Sequence, residues 1–360
     1  VYTSLDHHRP VLVGEPAEGS AHDAYELALD LLGKDADADF DLFRKLRDAD
    51  APQVPAVRAA VVDTYGEALA HLADGARRTD GGQRAPGAPA AVARQLHHPP
   101  LTGFAMTVWF DEIFSNTSRF SVAVSEVIFS GRSDLQKIDI IENPAFGRVL
   151  AIDDIFMTSE MDEHLYHEMI VHPVMTTTPS VERVLIIGGG DGGTAREVLS
   201  YPEVRHVTLV EIDPLVVEVC RKYLSSIGTA WDDPRLEVIY GDGIAFAKTA
   251  EVDPFDVILL DGCDPVGPAV GLFSEDFYRG CARLLKEDGV FGLQSESPIL
   301  QRDIFLEIGK TLSRVFPRVH PYFGPVPIYA SGSWSWTYAS RTASPFVIDE
   351  ERAARQEERC

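Results

Sequence analysis

The sequence predicts an α/β protein built on a Rossmann-like doubly wound sheet over residues 179–345. A small antiparallel β domain at 101–178 and a helical extension at 1–100 precede it, and a tail at 346–360 follows. Three observations carry that expectation. From Val181 onward, apolar β-branched runs alternate with amphipathic stretches, the pattern of a parallel sheet with helices on both faces. A glycine-rich turn, Gly188-Gly189-Gly190-Asp191-Gly192-Gly193, closes the first of those runs and opens a helix. Between Trp109 and Thr178 the apolar residues alternate or run β-branched, with turn residues between segments.

The elements follow in order. Residues 21–34 and 54–78 are rich in Ala, Asp and Leu at helical spacing, and the Gly/Pro-rich stretch 79–90 reads as a linker. His97-His98 has no second ligand pair nearby in sequence, so a surface role is expected for it. Strands are predicted at 119–131, 136–143 and 147–154, and a helix at 162–175. The doubly wound part then reads as strands at 183–190, 206–213, 236–242, 255–262 and 290–297, with helices at 194–201, 214–224 and 273–287.

Composition excludes several functions. The formal charge of −24 repels a phosphate backbone, so nucleic acid is not an expected partner. Such a surface keeps a protein soluble and also draws in cationic small molecules. The four cysteines, Cys220, Cys263, Cys281 and Cys360, form no paired-ligand spacing, so neither a zinc site nor a disulfide scaffold is expected. No apolar run approaches the roughly 18 residues of a membrane span, and the cytoplasm is the expected compartment.

The glycine turn is a nucleotide-site signal that is weak alone, because glycines also serve any tight turn. Glu211 ends the next strand about 20 residues on, where an acid can bond ribose hydroxyls. Asp191 narrows the ligand: a carboxylate in this turn repels a pyrophosphate and favours a cationic nucleoside such as a sulfonium. Asp242, Asp261 and Asp264 fall at the ends of later strands, where ligands bind in such sheets. Each alone could be a helix cap or a turn residue. Five acids at successive strand ends suit a cationic donor and a cationic acceptor together.

These residues are also where the sequence resembles the polyamine aminopropyltransferases, spermidine synthase among them. The resemblance runs from about Trp109 to Ser340 through WFDE, QKI, DEHLYHEM, GGGDGG, VEID, GDG, LKEDG, QSESP and PVPIYASGSW. It covers nothing in the first hundred residues. It implies a class I methyltransferase-like fold, a homodimer or homotetramer, and decarboxylated S-adenosylmethionine as co-substrate with no metal. By position, Gln136, His167, Gly188, Gly190, Glu211, Asp242 and Gly243 would line the donor site, and Asp191 would hold the donor's propyl ammonium. Asp261 would accept a proton and Tyr166 would orient the attacking nitrogen, with Trp109, Asp264, Gln294 and Tyr329 along the acceptor channel. The implied reaction is aminopropyl transfer to an amine such as putrescine, releasing 5′-methylthioadenosine.

Three departures cluster on the acceptor side. The family's DSSDP or DSTDP segment reads Asp261-Gly262-Cys263-Asp264-Pro265, Met157 stands where a Gln is usual, and Ala330 replaces a Pro. They remove polar groups, each worth about 1 kcal/mol as a hydrogen bond. Cys263 lacks a matched base, so it reads as a packing residue. Two rival functions stay open at this point: methyl or other alkyl transfer from intact S-adenosylmethionine to an unusual acceptor in specialised metabolism, and non-catalytic ligand binding.

Overall fold

The computed structural model describes residues 2–4, 10–12, 108–114, 118–265 and 267–359. The chain divides into two compact units, one of residues 1–39 and 109–360 and one of 40–108. The helices expected at 54–78, the linker at 79–90 and His97-His98 lie outside the described residues, as does the helix expected at 21–34. Two short strands, β1 (Tyr2–Ser4) and β2 (Pro10–Leu12), pair antiparallel within the stretch read as helical. Three residues each are too few to show a period in the sequence.

The β region holds two sheets. Strands β3 (Val108–Phe114) and β4 (Ser118–Val124) form one. Strands β5 (Glu126–Arg132), β6 (Lys137–Asn143), β7 (Gly147–Ile152) and β8 (Ile155–Ser159) form the other, antiparallel throughout. The single run expected at 119–131 is thus two strands, broken at Ser125. Helix α1 (Glu163–Met175) follows.

The larger sheet contains β9 (Arg183–Gly188), β10 (His206–Glu211), β11 (Leu236–Tyr240), β12 (Phe255–Asp261), β13 (Leu285–Gln294), β14 (Arg318–Pro325) and β15 (Ser333–Ser340). Its order is β11-β10-β9-β12-β13-β15-β14. The first five run parallel, and β15 pairs antiparallel with both β13 and the edge strand β14. The connections are α2 (Gly193–Leu199), α3 (Pro214–Tyr223), α4 (Gly243–Thr249), a 3-10 turn at Gly267–Phe273 leading to α5 (Glu275–Leu284), and α6 (Arg302–Ser313).

Strand periodicity explains the layering. Val184 and Ile186 of β9 pack with Ile170, Val174 and Val198 on one face, while Leu185 and Ile187 pack with Phe277, Cys281 and Phe305 on the other. Both faces are covered, which is why β9 and β12 read as unbroken apolar runs rather than as alternation. A third cluster joins Ile138, Ile140 and Leu150 of the small sheet to Val216 and Val219 of α3. Each aliphatic side chain buried this way contributes roughly 1.5–3 kcal/mol.

Helix α5 ends earlier than its sequence pattern suggests, at Leu284, because Leu285 takes an extended backbone at φ −83° and ψ 144°. The tail expected at 346–360 carries α7 (Glu350–Glu357), capped by Asp349. Arg352 of that helix is buried and donates to the carbonyls of Met175 and Thr178, tying the chain end to the exit of α1.

Candidate active site

The chain leaves β9 toward β10 on one side, while β12 lies on the other, so a crevice opens beyond the ends of β9 and β12. Gly188 pairs in register with Asp261. Gly188 has φ +83°, and a Cβ there would sit 2.1 Å from the Asp261 carbonyl oxygen, so only glycine fits. The next amide, Gly189, donates to that same oxygen at 2.8 Å. The glycine turn is thereby fastened to the strand end that carries Asp261. Glu211 lies directly beneath Gly190, whose Cβ would meet its Oε2 at 2.9 Å. Burial pushes the Glu211 carboxyl up to about 7.

Asp191 closes its own turn by accepting from the Gly193 amide at 2.9 Å. Its other oxygen lies 3.3 Å from His167 Nε2. The opposite ring nitrogen of His167 lies 2.6 Å from Glu163 Oε2, and Arg196 grips both Glu163 oxygens at 2.9 Å. The result is a chain of alternating charge, Arg196–Glu163–His167–Asp191. Burial opposes the charge on His167, but Asp191 and Glu163 overcome it and hold the imidazole well above its ordinary value. Burial likewise opposes the Asp191 charge, and His167 outweighs it to keep that carboxyl low.

Asp261 is held by two hydroxyls. Tyr166 donates to Oδ1 at 2.8 Å and Thr194 to Oδ2 at 2.7 Å. Burial, and then the nearby Asp191 charge, hold Asp261 above the usual carboxylate range. Burial and the Asp261 charge keep the Tyr166 phenol protonated. Tyr166 is wedged among Tyr329, Trp336 and His167 at centroid distances of 6.1, 5.6 and 5.4 Å, which fixes its ring. Ligand atoms of His167, Asp191 and Asp261 lie within 4.8 Å of one another, close enough for a cation.

A pocket opens beside Tyr166. Glu112, Met157, Cys263, Asp264, Gln294 and Tyr329 are among its lining residues. Burial pushes Glu112 to about 7, and the Asp264 charge adds to the shift. Burial pushes Asp264 to about 6, although Gln301 donates to it at 3.1 Å. Tyr329 donates its hydroxyl to the Met157 carbonyl at 2.8 Å. Burial pushes the Cys263 thiol up to about 12. That thiol packs against the apolar cluster of α3 and the small sheet, as does Met157.

The remaining sequence candidates spread around this core. Trp109 does not line the pocket and is 57% exposed. On β3 the inward face is Phe110, Glu112 and Phe114, and period-two alternation sends Trp109 outward with Asp111 and Ile113. Gln136 lies half-buried just before β6, in a turn where Ser133 Oγ receives the amides of Leu135 and Gln136 and donates to Asp213. Asp213 caps α3 and its amide donates to Glu211, which links that turn to the glycine loop's neighbour. Asp242 caps α4 by accepting from Ile244, and Gly243 is buried at its first position, where a Cβ would meet Ile187 at 2.4 Å.

Thr194, Glu163, Arg196 and Glu112 take part in the site without having been singled out from the sequence. Glu163 and His167 are four residues apart on one helix face, a spacing visible in DEHLYH. Glu112 stands in the WFDE segment, on the half of the alternation that faces inward. Thr194 meets Asp261 across 67 residues of sequence, and no local pattern announces it.

With this geometry in place, two family models match the chain. The Spermidine synthase tetramerisation domain spans residues 108–160, and the Spermine/spermidine synthase domain spans 163–349. The chain belongs to the spermine/spermidine synthase family. The two models meet just before α1, so that helix falls with the synthase domain. The polyamine aminopropyltransferase of Prochlorococcus marinus is 46% identical over 233 residues, which is 64% of this chain and 80% of the relative. That of Alkaliphilus metalliredigens is 40% identical over 242 residues, or 67% and 85%. A spermidine synthase crystal structure in complex with the transition-state analogue AdoDATO is similar at a TM-score of 0.67 and 42% identity, covering 69% of this chain and 85% of that one. The Thermotoga maritima spermidine synthase gives 0.64 and 41%, covering 69% and 84%. The expected fold class, family and enzyme class are borne out. Among the described residues, no helix is long and apolar enough to cross a membrane.

Proposed function

We propose that this protein transfers the aminopropyl group of decarboxylated S-adenosylmethionine to an amine such as putrescine, releasing 5′-methylthioadenosine. The observation that carries the reading is the pairing of two differently set acids across the glycine turn. Asp191, kept ionised by His167, suits a donor ammonium, and Asp261, raised by burial and held by Tyr166, suits a proton acceptor.

An alkyl ammonium has a pKa of about 10, so only about 0.1% is neutral at pH 7, and only the neutral form attacks carbon. Asp261 takes the proton while Tyr166 orients the nitrogen. The nitrogen lone pair forms the new N–C bond to the propyl carbon attached to sulfur. The C–S pair leaves with sulfur, which becomes the neutral thioether of 5′-methylthioadenosine. Alignment of nitrogen, carbon and sulfur supplies much of the acceleration. On the donor side, Glu211 binds ribose hydroxyls, Gly188 and Gly190 allow close approach of the backbone, Gln136 and His167 line the site, and Asp242, followed by Gly243, binds the adenine amino group. Asp264, Gln294 and Tyr329 line the amine's path, with Glu112 beside them. The similarity to the tetramerisation domain supports a homo-oligomer built through residues 108–160, and the acidic chain suits a cationic small-molecule substrate.

Titration calorimetry tests the donor. The decarboxylated donor should bind at least roughly tenfold more tightly than intact S-adenosylmethionine, whose extra carboxylate meets the acids of this crevice. Equal affinity, or preference for the intact donor, would favour methyl transfer instead.

A further inference from the structure

The acceptor-side pocket is bounded by Gln294, whose amide is held by a residue that is not itself among the pocket's lining. We infer that Glu296 is a positioning residue of the acceptor site, fixing the Gln294 amide and, through it, the loop that carries Asp261 and Asp264. The inference rests on the aminopropyl-transfer reading for its chemical meaning, although its geometry does not.

Glu296 follows the end of β13 and is fully buried. Its backbone stands at φ +68°, in the left-handed region, where a side chain crowds the following carbonyl. Such strain persists only where the surroundings over-determine it. Here they do: the Glu296 carbonyl accepts from the Ser335 amide at 3.1 Å and from its hydroxyl at 2.7 Å. The strained backbone brings Gln294 and Glu296 into a reciprocal pair. Gln294 Nε2 donates to Glu296 Oε1 at 3.0 Å, and the Glu296 amide donates to Gln294 Oε1 at 2.9 Å. That pair removes the freedom of the Gln294 amide to flip. The same Nε2 donates to the Gly262 carbonyl at 3.3 Å, between Asp261 and Asp264. Gly262 has no side chain of its own to brace this loop, so the tether falls on Gln294.

The other carboxyl oxygen, Oε2, is buried with no hydrogen-bond partner among the described residues. An ionised carboxylate left that way would be costly, and burial together with the Asp264 charge pushes Glu296 well above its usual range. A neutral acid can still accept from Gln294. A glutamine in its place would keep that contact, its size and its neutrality.

The test uses the full chain and reads putrescine binding by calorimetry in the presence of 5′-methylthioadenosine, alongside steady-state kinetics. Glu296→Gln should bind putrescine within about twofold of the parent. Glu296→Ala and Glu296→Gly should lose roughly five- to tenfold in putrescine affinity and in amine KM, the loss expected for one hydrogen-bond tether, with 5′-methylthioadenosine affinity unchanged. Glycine accepts φ +68° without strain, so Glu296→Gly remains interpretable if the alanine variant folds poorly. Unchanged putrescine binding in the glycine variant overturns the inference. So does an equal loss for 5′-methylthioadenosine, or a glutamine variant as impaired as glycine. A parent enzyme that binds the amine but makes no aminopropylated product would count against the proposed function alone.

Discussion

The hydroxyl of Tyr166, in the helix that enters the synthase domain, donates at 2.8 Å to a carboxylate oxygen of Asp261, at the end of a central strand 95 residues later. Thr194 occupies the second oxygen, so Asp261 keeps one orientation. Burial and Asp191 raise its affinity for a proton. A carboxylate fixed in direction and raised in basicity is what proton removal from an ammonium requires.

Asp261→Asn keeps the shape and both hydroxyl neighbours but removes the basic oxygen. Turnover should fall by at least roughly a hundredfold, while 5′-methylthioadenosine binding stays close to that of the parent. Steady-state kinetics and calorimetry on the same preparation check this, and near-parental turnover would remove Asp261 from its role.

Asp191→Asn should separate donor from product. Only the donor carries the propyl ammonium, so its affinity should drop by at least tenfold or so, while that for 5′-methylthioadenosine changes by less than about twofold. Equal weakening of both would assign Asp191 to the shape of its turn.

Much of this was legible beforehand because it depends on local patterns. The unbroken apolar runs of β9 and β12 announce strands buried on both faces, and the glycine turn announces the crevice above them. Helix α4 was missed because seven residues opening on glycine carry too little periodicity. Strands β14 and β15 mix aromatics with Pro, Gly and Ser, and they become strands by pairing with each other and with β13. In the site, acids at strand ends could be found one by one. The contacts that set their chemistry could not, because Thr194 meets Asp261 and Arg196 meets Glu163 only once the chain has folded. Trp109 and Glu112 show the limit well: one motif contains both, and only the alternation of β3 decides which faces inward.

Stability should record the buried acid of that motif. The Glu112 carboxyl is raised to about 7 in the folded protein, above its unfolded value. Its contribution is therefore fully present below about pH 4.5 and is lost as pH rises through about 7. Glu112→Gln never has to ionise and can still accept from the Phe156 amide. Its melting temperature relative to the parent should climb steadily between about pH 5 and pH 8, without ligand. A constant difference, or one that shrinks, would show that Glu112 is not forced to ionise in place.

The most direct test of the central claim is mass spectrometry of the products formed when the purified full chain meets decarboxylated S-adenosylmethionine and putrescine, with intact S-adenosylmethionine in parallel. The expected result is putrescine heavier by one aminopropyl group, with 5′-methylthioadenosine released in equal amount and only from the decarboxylated donor. A methylated amine from the intact donor, or no product with either donor across a panel of amines, would contradict it.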